Sequence, residues 1–246
     1  MIRADLPGLF VVGTDTGVGK TRLAAAIART LTGQGRRVGV LKPVATGAAP
    51  EGNLGRRGDA EALIEAVGGG AVPRDRVCPI VFDEPLAPPV AARRSGSPLE
   101  PARVERAVSE ALAWWADRAD AMIVEGIGGL LCPLAEGTTV ADLAVSLDYP
   151  LVIVARRGLG TLNHTLLTVE AARHRALRIA GVVLNAAEPA THSLAEATNA
   201  DELARRLDLV PLLAEIDHSD IPDDFLRAVG AVDWWERAQT SRWGAA

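Results

Sequence analysis

The apolar positions of this chain gather into six short, nearly continuous runs: Leu9–Thr14, Arg37–Val44, Ala121–Gly126, Pro150–Ala155, Ile179–Asn185 and Leu209–Ile216. Runs of this length without polar alternation read as strands buried on both faces. Between them, Lys20–Leu31, Pro101–Asp117, Val140–Leu147, Thr161–Ala176 and Ser193–Leu207 repeat their apolar residues at helical spacing. Strands alternating with helices imply right-handed crossovers and a mostly parallel central sheet with helices on both faces, an α/β three-layer sandwich. No internal repeat interrupts the pattern, and one domain over residues 1–246 is expected. The Gly- and Pro-rich stretch Ala45–Gly58 reads as a substrate loop rather than a boundary. Asp83–Pro89, with three prolines, should cross the surface. After Ile216 the chain carries Trp234, Trp235 and Trp243, expected on a C-terminal helix that packs on its own domain.

Charge and cysteine usage narrow the function classes. A net charge of -5 and a pI near 5.5 argue against a nucleic-acid or anionic-membrane partner. No apolar run reaches membrane-spanning length, and the N-terminus MIRADLPGLFVVG lacks the ordered regions of a signal peptide. Cys78 and Cys132 are too few for a disulfide framework and lack metal-ligand spacing, so both are expected to be small buried hydrophobes. A reduced, cytoplasmic protein is expected. Of the 26 basic residues only two, Lys20 and Lys42, are lysines. Arginine is a wide planar fork and lysine a compact point charge, so lysine in so arginine-rich a chain suggests positions where a guanidinium does not serve.

Lys20 lies in Gly13-Thr14-Asp15-Thr16-Gly17-Val18-Gly19-Lys20-Thr21, where the first strand should turn into the first helix. The backbone N–H groups of such a loop point inward and, with the helix N-terminus, cradle phosphate oxygens. Lys20 should reach the β and γ phosphates, and the Thr21 hydroxyl should ligate Mg²⁺. The expected fold is therefore P-loop NTPase-like. Five residues separate Gly13 from Gly19, where the standard loop has four and a glycine at Thr14. Lys42 lies in Lys42-Pro43-Val44-Ala45-Thr46-Gly47, at the end of the second strand. The carboxyl ends of neighbouring strands line one crevice, so Lys42 should face the loop, with Thr46 as a nearby hydroxyl. Two ammonium groups aimed at one site repel unless an anion lies between them, which points to a transferring phosphoryl group or another anion formed during reaction. A lone Lys-Pro is a weak signal, with a solvated strand-end lysine as the lesser reading. In Val124-Glu125-Gly126-Ile127-Gly128-Gly129, a strand-end carboxylate suits direct or indirect Mg²⁺ ligation, and the glycines admit a ligand close to the backbone. Asp59, at the start of a predicted helix after the Ala45–Gly58 loop, is a second candidate ligand, although physics alone favours reading it as a helix N-cap.

GTDTGVGKT, LKPVATG, VEGIGGLLCPL and GLGTLNHTLLTVEA together resemble the dethiobiotin synthetases, and the likeness takes in FDEPLAPPVAA and PLLAEI, covering roughly residues 9–216. That resemblance implies ATP-dependent carboxylation and ring closure of 7,8-diaminopelargonate with CO₂, giving dethiobiotin, ADP and phosphate through a carbamate and a carbamic–phosphoric anhydride. It implies ATP and Mg²⁺ as cofactors. Carried over, Lys20, Lys42, Thr16 and Thr46 become the catalytic set, with Thr46 also touching substrate. Asp15, Thr16, Gly17, Val18, Gly19, Lys20, Thr21, Glu125, Gly128 and Gly129 would hold the phosphates. Asn185 would meet the adenine edge, with Pro211, Leu213 and Glu215 bordering the base. Thr21, Asp59 and Glu125 would hold Mg²⁺. Leu159, Gly160, Thr161 and Asn163, at a helix start, would bind the substrate's distant carboxylate. The family takes that segment from a partner subunit, which implies a homodimer with shared sites.

Three positions depart from the family pattern. Gly158 stands where relatives are often basic, Pro89 follows where relatives often carry histidine, and Gly17 stands where some relatives have an acidic residue. These bear on substrate affinity rather than on the phosphate chemistry. His164 should start a helix beside the site and orient Asn163, whereas His174, His192 and His218 read as surface residues. Arg156-Arg157 could draw in an anionic substrate and is equally a solvated pair. The rival readings are a related P-loop amidoligase and a partitioning-type nucleotide switch. The sequence leaves no room for the glutaminase domain of a cobyrinate amidase, and Asp15 stands where partitioning ATPases carry a second lysine.

Overall fold

In the computed structural model, which describes residues 6–47, 58–70, 72–187, 189, 194–218 and 222–239, all six apolar runs contribute strands to one parallel sheet. The chain runs through β1 (Gly8–Gly13), α1 (Lys20–Gly33), β2 (Val38–Leu41), β3 (Val44–Thr46), α2 (Asp59–Ala66), α3 (Arg74–Val77) and β4 (Ile80–Phe82). Then follow α4 (Pro88–Arg94), α5 (Pro101–Trp115), β5 (Ala121–Gly129), β6 (Pro133–Ala135), β7 (Thr138–Thr139) and α6 (Val140–Leu147). The remainder is β8 (Leu151–Arg156), α7 (Thr161–His174), β9 (Ile179–Asn185), α8 (Leu194–Arg206), β10 (Leu212–Ile216), α9 (Pro222–Gly230) and α10 (Trp234–Gln239).

The sheet order is β10-β9-β8-β1-β5-β2, a helix–sheet–helix sandwich built on parallel pairings. Leu9, Phe10, Val40, Leu41, Ile123, Val124, Ile153 and Val154 are wholly inaccessible, as strands covered on both faces must be. Helix α1 packs on β1, β2 and β5 and carries α2, α9 and α10 on its flanks, while α6 packs on β5, α7 on β8 and α8 on β10.

Register places the chemistry. Val11 pairs with Glu125 and Gly13 with Gly129, while Leu41 pairs with Val124. Lys42, one residue past Leu41, therefore emerges beside Glu125, at the sheet end where the loop after β1 begins.

Several expectations need correction. Arg37–Val44 is not one strand. β2 ends at Leu41, the Lys42 N–H bonds to Val77 O at 2.7 Å, and Val44–Thr46 pairs instead with Ile80–Phe82. Pro43 has no N–H to continue the ladder, so the chain leaves the sheet there. The last strand begins at Leu212, past Pro211, rather than at Leu209. The helix from Thr161 ends at His174, and Ala176 takes a left-handed φ of 52°. Cys78 is buried, and burial pushes its thiol up to about 12. Cys132, expected to be buried, is only half-buried. Asp83, Pro85 and Leu86 are exposed as expected, but Pro88 and Pro89 are buried as the first turn of α4.

The tryptophan-bearing helix does fold back on its own sheet. Trp234 is 1% exposed and its Nε1–H bonds Val229 O at 2.7 Å, while the Arg36 guanidinium lies 3.9 Å from the Trp235 ring centre. His192, Trp243 and most of the Ala45–Gly58 loop lie outside the described residues.

Candidate active site

The loop after β1 is shaped by its glycines. Gly17 and Gly19 have φ of 76° and 97°, and Gly19 closes the loop directly onto α1. A Cβ on Gly19 would stand 2.2 Å from Asn185 Nδ2, so both its conformation and its surroundings require glycine. The first turn of α1 holds no acidic residue, which leaves its positive end free for an anion.

Within the loop, Asp15 is the organiser. One carboxylate oxygen accepts the Thr16 N–H at 2.7 Å and the other accepts Arg156 Nη2 at 2.9 Å. Its carbonyl accepts the Lys20 ammonium at 2.8 Å. Burial holds the Lys20 ammonium below the ordinary lysine range, against the pull of Glu125.

On the facing side, Lys42 is 3% exposed and lies 2.6 Å from Glu125 Oε1 and 2.9 Å from Asp59 Oδ2. Burial would strip its proton, but the two carboxylates outweigh it and hold the ammonium charged, above the usual lysine range. Burial raises the Glu125 carboxyl despite the neighbouring ammonium, while Asp59, also desolvated, is held below the usual range by Lys42. The Thr21 hydroxyl approaches Asp59 Oδ1 at 2.9 Å and Glu125 Oε1 at 2.7 Å. A hydroxyl has one proton, so it can satisfy only one of those oxygens and turns a lone pair toward the other. Glu125 Oε2 is buried without a hydrogen-bond partner among the described residues.

Hard oxygen donors with one buried oxygen unsatisfied are what a magnesium ion takes up. Thr21, Asp59 and Glu125 therefore fit that ion. Two carboxylates and a hydroxyl do not enclose it, and no group of three or more metal-ligating His, Cys, Asp or Glu side chains occurs among the described residues. A cation bound here would complete its shell with phosphate oxygens and water.

Thr16, Gly17, Gly19, Lys20, Thr21, Lys42, Thr46, Asp59, Glu125 and Gly128 all line one cavity of about 1080 Å³. Its far wall is Pro85, Leu86, Pro88, Ile127 and Cys132, which motif reading did not single out as site residues. Thr14, Asp15, Thr16, Gly128 and Gly129 line an adjoining groove of about 380 Å³ against His164, Leu167 and Thr168 of α7. Cys132 borders both spaces, and burial raises its thiol.

Asn185 ends β9 with its Nδ2 on the Val18 carbonyl at 2.9 Å and its Oδ1 buried without a partner among the described residues. Pro211 gives its carbonyl to the Val182 N–H, Leu213 covers Gly181, and Glu215 pairs with Arg157 at 2.6 Å. None of these three lines the cavity. Arg157 also meets Asp217 and Arg156 meets Asp15, so both arginines are ion-paired, with the Arg156 side chain still 44% exposed.

The substrate segment is not gathered with the rest. Leu159 is 87% exposed, Asn163 is exposed, Gly160 caps α7 in the left-handed region, and none of them lines the cavity of their own chain. Thr161 is fully buried with its hydroxyl 3.4 Å from that of Thr165, so its side chain faces the interior instead of a ligand.

Comparison with known proteins adds the following. The AAA domain family matches residues 7–222. The chain is 46% identical to the ATP-dependent dethiobiotin synthetase BioD of Anaeromyxobacter dehalogenans strain 2CP-C, over 83% of this chain and 87% of that one. It is 41% identical to the synthetase of the same name from Pseudomonas paraeruginosa, over 85% and 92%. Among solved structures, cobyrinic acid a,c-diamide synthase from Mycobacterium smegmatis with bound ATP analog and magnesium has a TM-score of 0.51 at 18% identity, over 92% of each chain. The cell division ATPase MinD of Pyrococcus furiosus also has a TM-score of 0.51, at 19% identity, over 93% and 91%. At these identities the structures show a shared fold.

Proposed function

The chain belongs to the ATP-dependent dethiobiotin synthetases, within the AAA domain family, and from that premise we propose how its cavity works. It is an ATP-dependent ligase of biotin biosynthesis. The reaction is carboxylation and ring closure of 7,8-diaminopelargonate. One substrate amine attacks CO₂ and loses a proton to become a carbamate. A carbamate oxygen attacks the γ-phosphorus of ATP and ADP leaves, giving a carbamic–phosphoric anhydride. The second amine attacks the anhydride carbonyl and expels phosphate, closing the cyclic urea of dethiobiotin.

The observation that carries this reading is the meeting of the phosphate loop with a second, buried lysine–carboxylate cluster in one cavity. Loop N–H groups and the positive end of α1 hold the phosphates. Lys20 leaves the Asp15 carbonyl to follow the γ-phosphoryl oxygens, and Lys42 with Thr46 faces the carbamate. Preorganised cations aimed at developing anionic charge supply most of the catalysis in such transfers. Thr21, Asp59 and Glu125 would hold Mg²⁺, which would supply charge neutralisation to the phosphates. Asn185 and the Pro211–Glu215 strand border the base.

The working form is a homodimer of single-domain chains in the cytoplasm. Leu131 and Leu167, 53% and 60% exposed, line the groove beside the loop, and Leu159 stands 87% exposed. A second copy bringing its Leu159, Gly160 and Asn163 to this groove would cover those apolar surfaces and place the helix start against the substrate carboxylate.

The test is phosphate release from MgATP and bicarbonate, with and without 7,8-diaminopelargonate, with the product weighed. Diamine-dependent release of one dethiobiotin per phosphate is expected. Release indifferent to the diamine would instead support a nucleotide switch.

A further inference from the structure

Lys42 is needed in two places. Phosphoryl transfer needs its ammonium at the carbamate, yet that ammonium is bound to the oxygens of Glu125 and Asp59 that suit a metal, at 2.6 and 2.9 Å. Magnesium takes its oxygens at about 2.0–2.1 Å, so a cation on Glu125 Oε1, Asp59 and Thr21 would crowd the ammonium where it now lies. Two positive charges that close in a buried site repel strongly. A cation seated against Thr21 and taking Glu125 Oε1 rather than Oε2 therefore competes with Lys42 for that oxygen, and Lys42 moves when such a metal is seated.

We propose that Lys42 is an exchangeable counter-ion: it keeps Glu125, Asp59 and Thr21 assembled, and the arriving metal–nucleotide displaces it into the cavity toward the carbamate site. Lys20 is parked likewise, on the Asp15 carbonyl, which keeps the two ammonium groups on separate partners until an anion joins them. The inference rests on the phosphoryl-transfer reading of the cavity.

The lysine count makes the exchange observable. With only Lys20 and Lys42 in the sequence, ¹⁵N-lysine labelling gives two side-chain ammonium signals, and Lys42→Arg identifies which is which. The Lys42 signal is expected to persist in EDTA, to stay in place with ADP in EDTA, and to shift or vanish with Mg²⁺ and ADP. A signal that moves with ADP alone, or that stays put when calorimetry shows Mg²⁺ and ADP bound, overturns the proposal. Failure to bind Mg²⁺ and ADP overturns it together with the phosphate-site reading.

A second measurement follows free Mn²⁺ by electron paramagnetic resonance without nucleotide. Lys42→Met, folded by circular dichroism, should bind Mn²⁺ about tenfold more tightly than the unsubstituted protein, because a competing positive charge is gone. A merely structural lysine would leave binding equal or weaker, which overturns the exchange. If Lys42→Met does not fold, the ammonium signals of the unsubstituted protein decide. Neither measurement contains the diamine, so a failed carboxylation assay and a failed exchange are separate results.

Discussion

At the scale of single residues, the scarcity of lysine has a structural counterpart. Both lysines line the cavity, 7% and 3% exposed, and arginine carries the surface ion pairs. Arginine at position 42 would keep the charge but grip Glu125 and Asp59 with its planar fork, bidentate and hard to displace. Lys42→Arg is therefore expected to lower kcat by about 10²–10³-fold, the usual cost of removing an electrostatic group from a transferring phosphate. Its Kd for nucleotide in EDTA, measured by calorimetry, should stay within a few-fold, whereas Lys20→Ala should weaken both turnover and nucleotide binding. Full turnover in Lys42→Arg would sink the lysine argument. The sequence made Lys20, Thr21, Lys42 and Glu125 legible through their places at strand ends. It did not reveal that Lys42 is paired to the carboxylates, nor that Asp15 is pinned by Arg156, because contacts 83 and 141 residues apart depend on the order of strands.

At the scale of elements, the C-terminal helix is a buttress. Trp234 of α10 is almost wholly buried, and α10 touches both β1 and α1, the elements flanking the phosphate loop. Trp234→Ala should cost about 3–5 kcal/mol of unfolding free energy, as large-to-small core changes do. Urea denaturation measures it, and kcat of the folded fraction should hold. An unshifted midpoint would show that α10 does not support the core. The six core strands were legible because continuous Val, Leu and Ile runs leave few other places to go. Pairs such as β3 with β4 were not, since three residues carry no period, and Pro43 alone hinted that the chain leaves the sheet there. The short helices α3 and α4 escaped for the same reason, whereas α2 begins at Asp59, where the sequence placed a helix start after the loop.

At the scale of the whole molecule, Leu159–Asn163 do not line the cavity of their own chain, and the homodimer proposed above would bring a partner's copy of that segment to it. Mixing Lys42→Met with Asn163→Ala, each inactive alone, should restore about a quarter of normal activity, since half the dimers are mixed and each has one intact site. No restoration on mixing, with subunit exchange verified, would place the whole site within one chain. The burial of both lysines has a practical corollary in aged urea. Cyanate carbamoylates neutral amines, and here it finds no lysine amine on the surface among the described residues. Each such adduct therefore dates a moment when the cavity stood open, and the mass spectrum becomes a covalent clock of that opening.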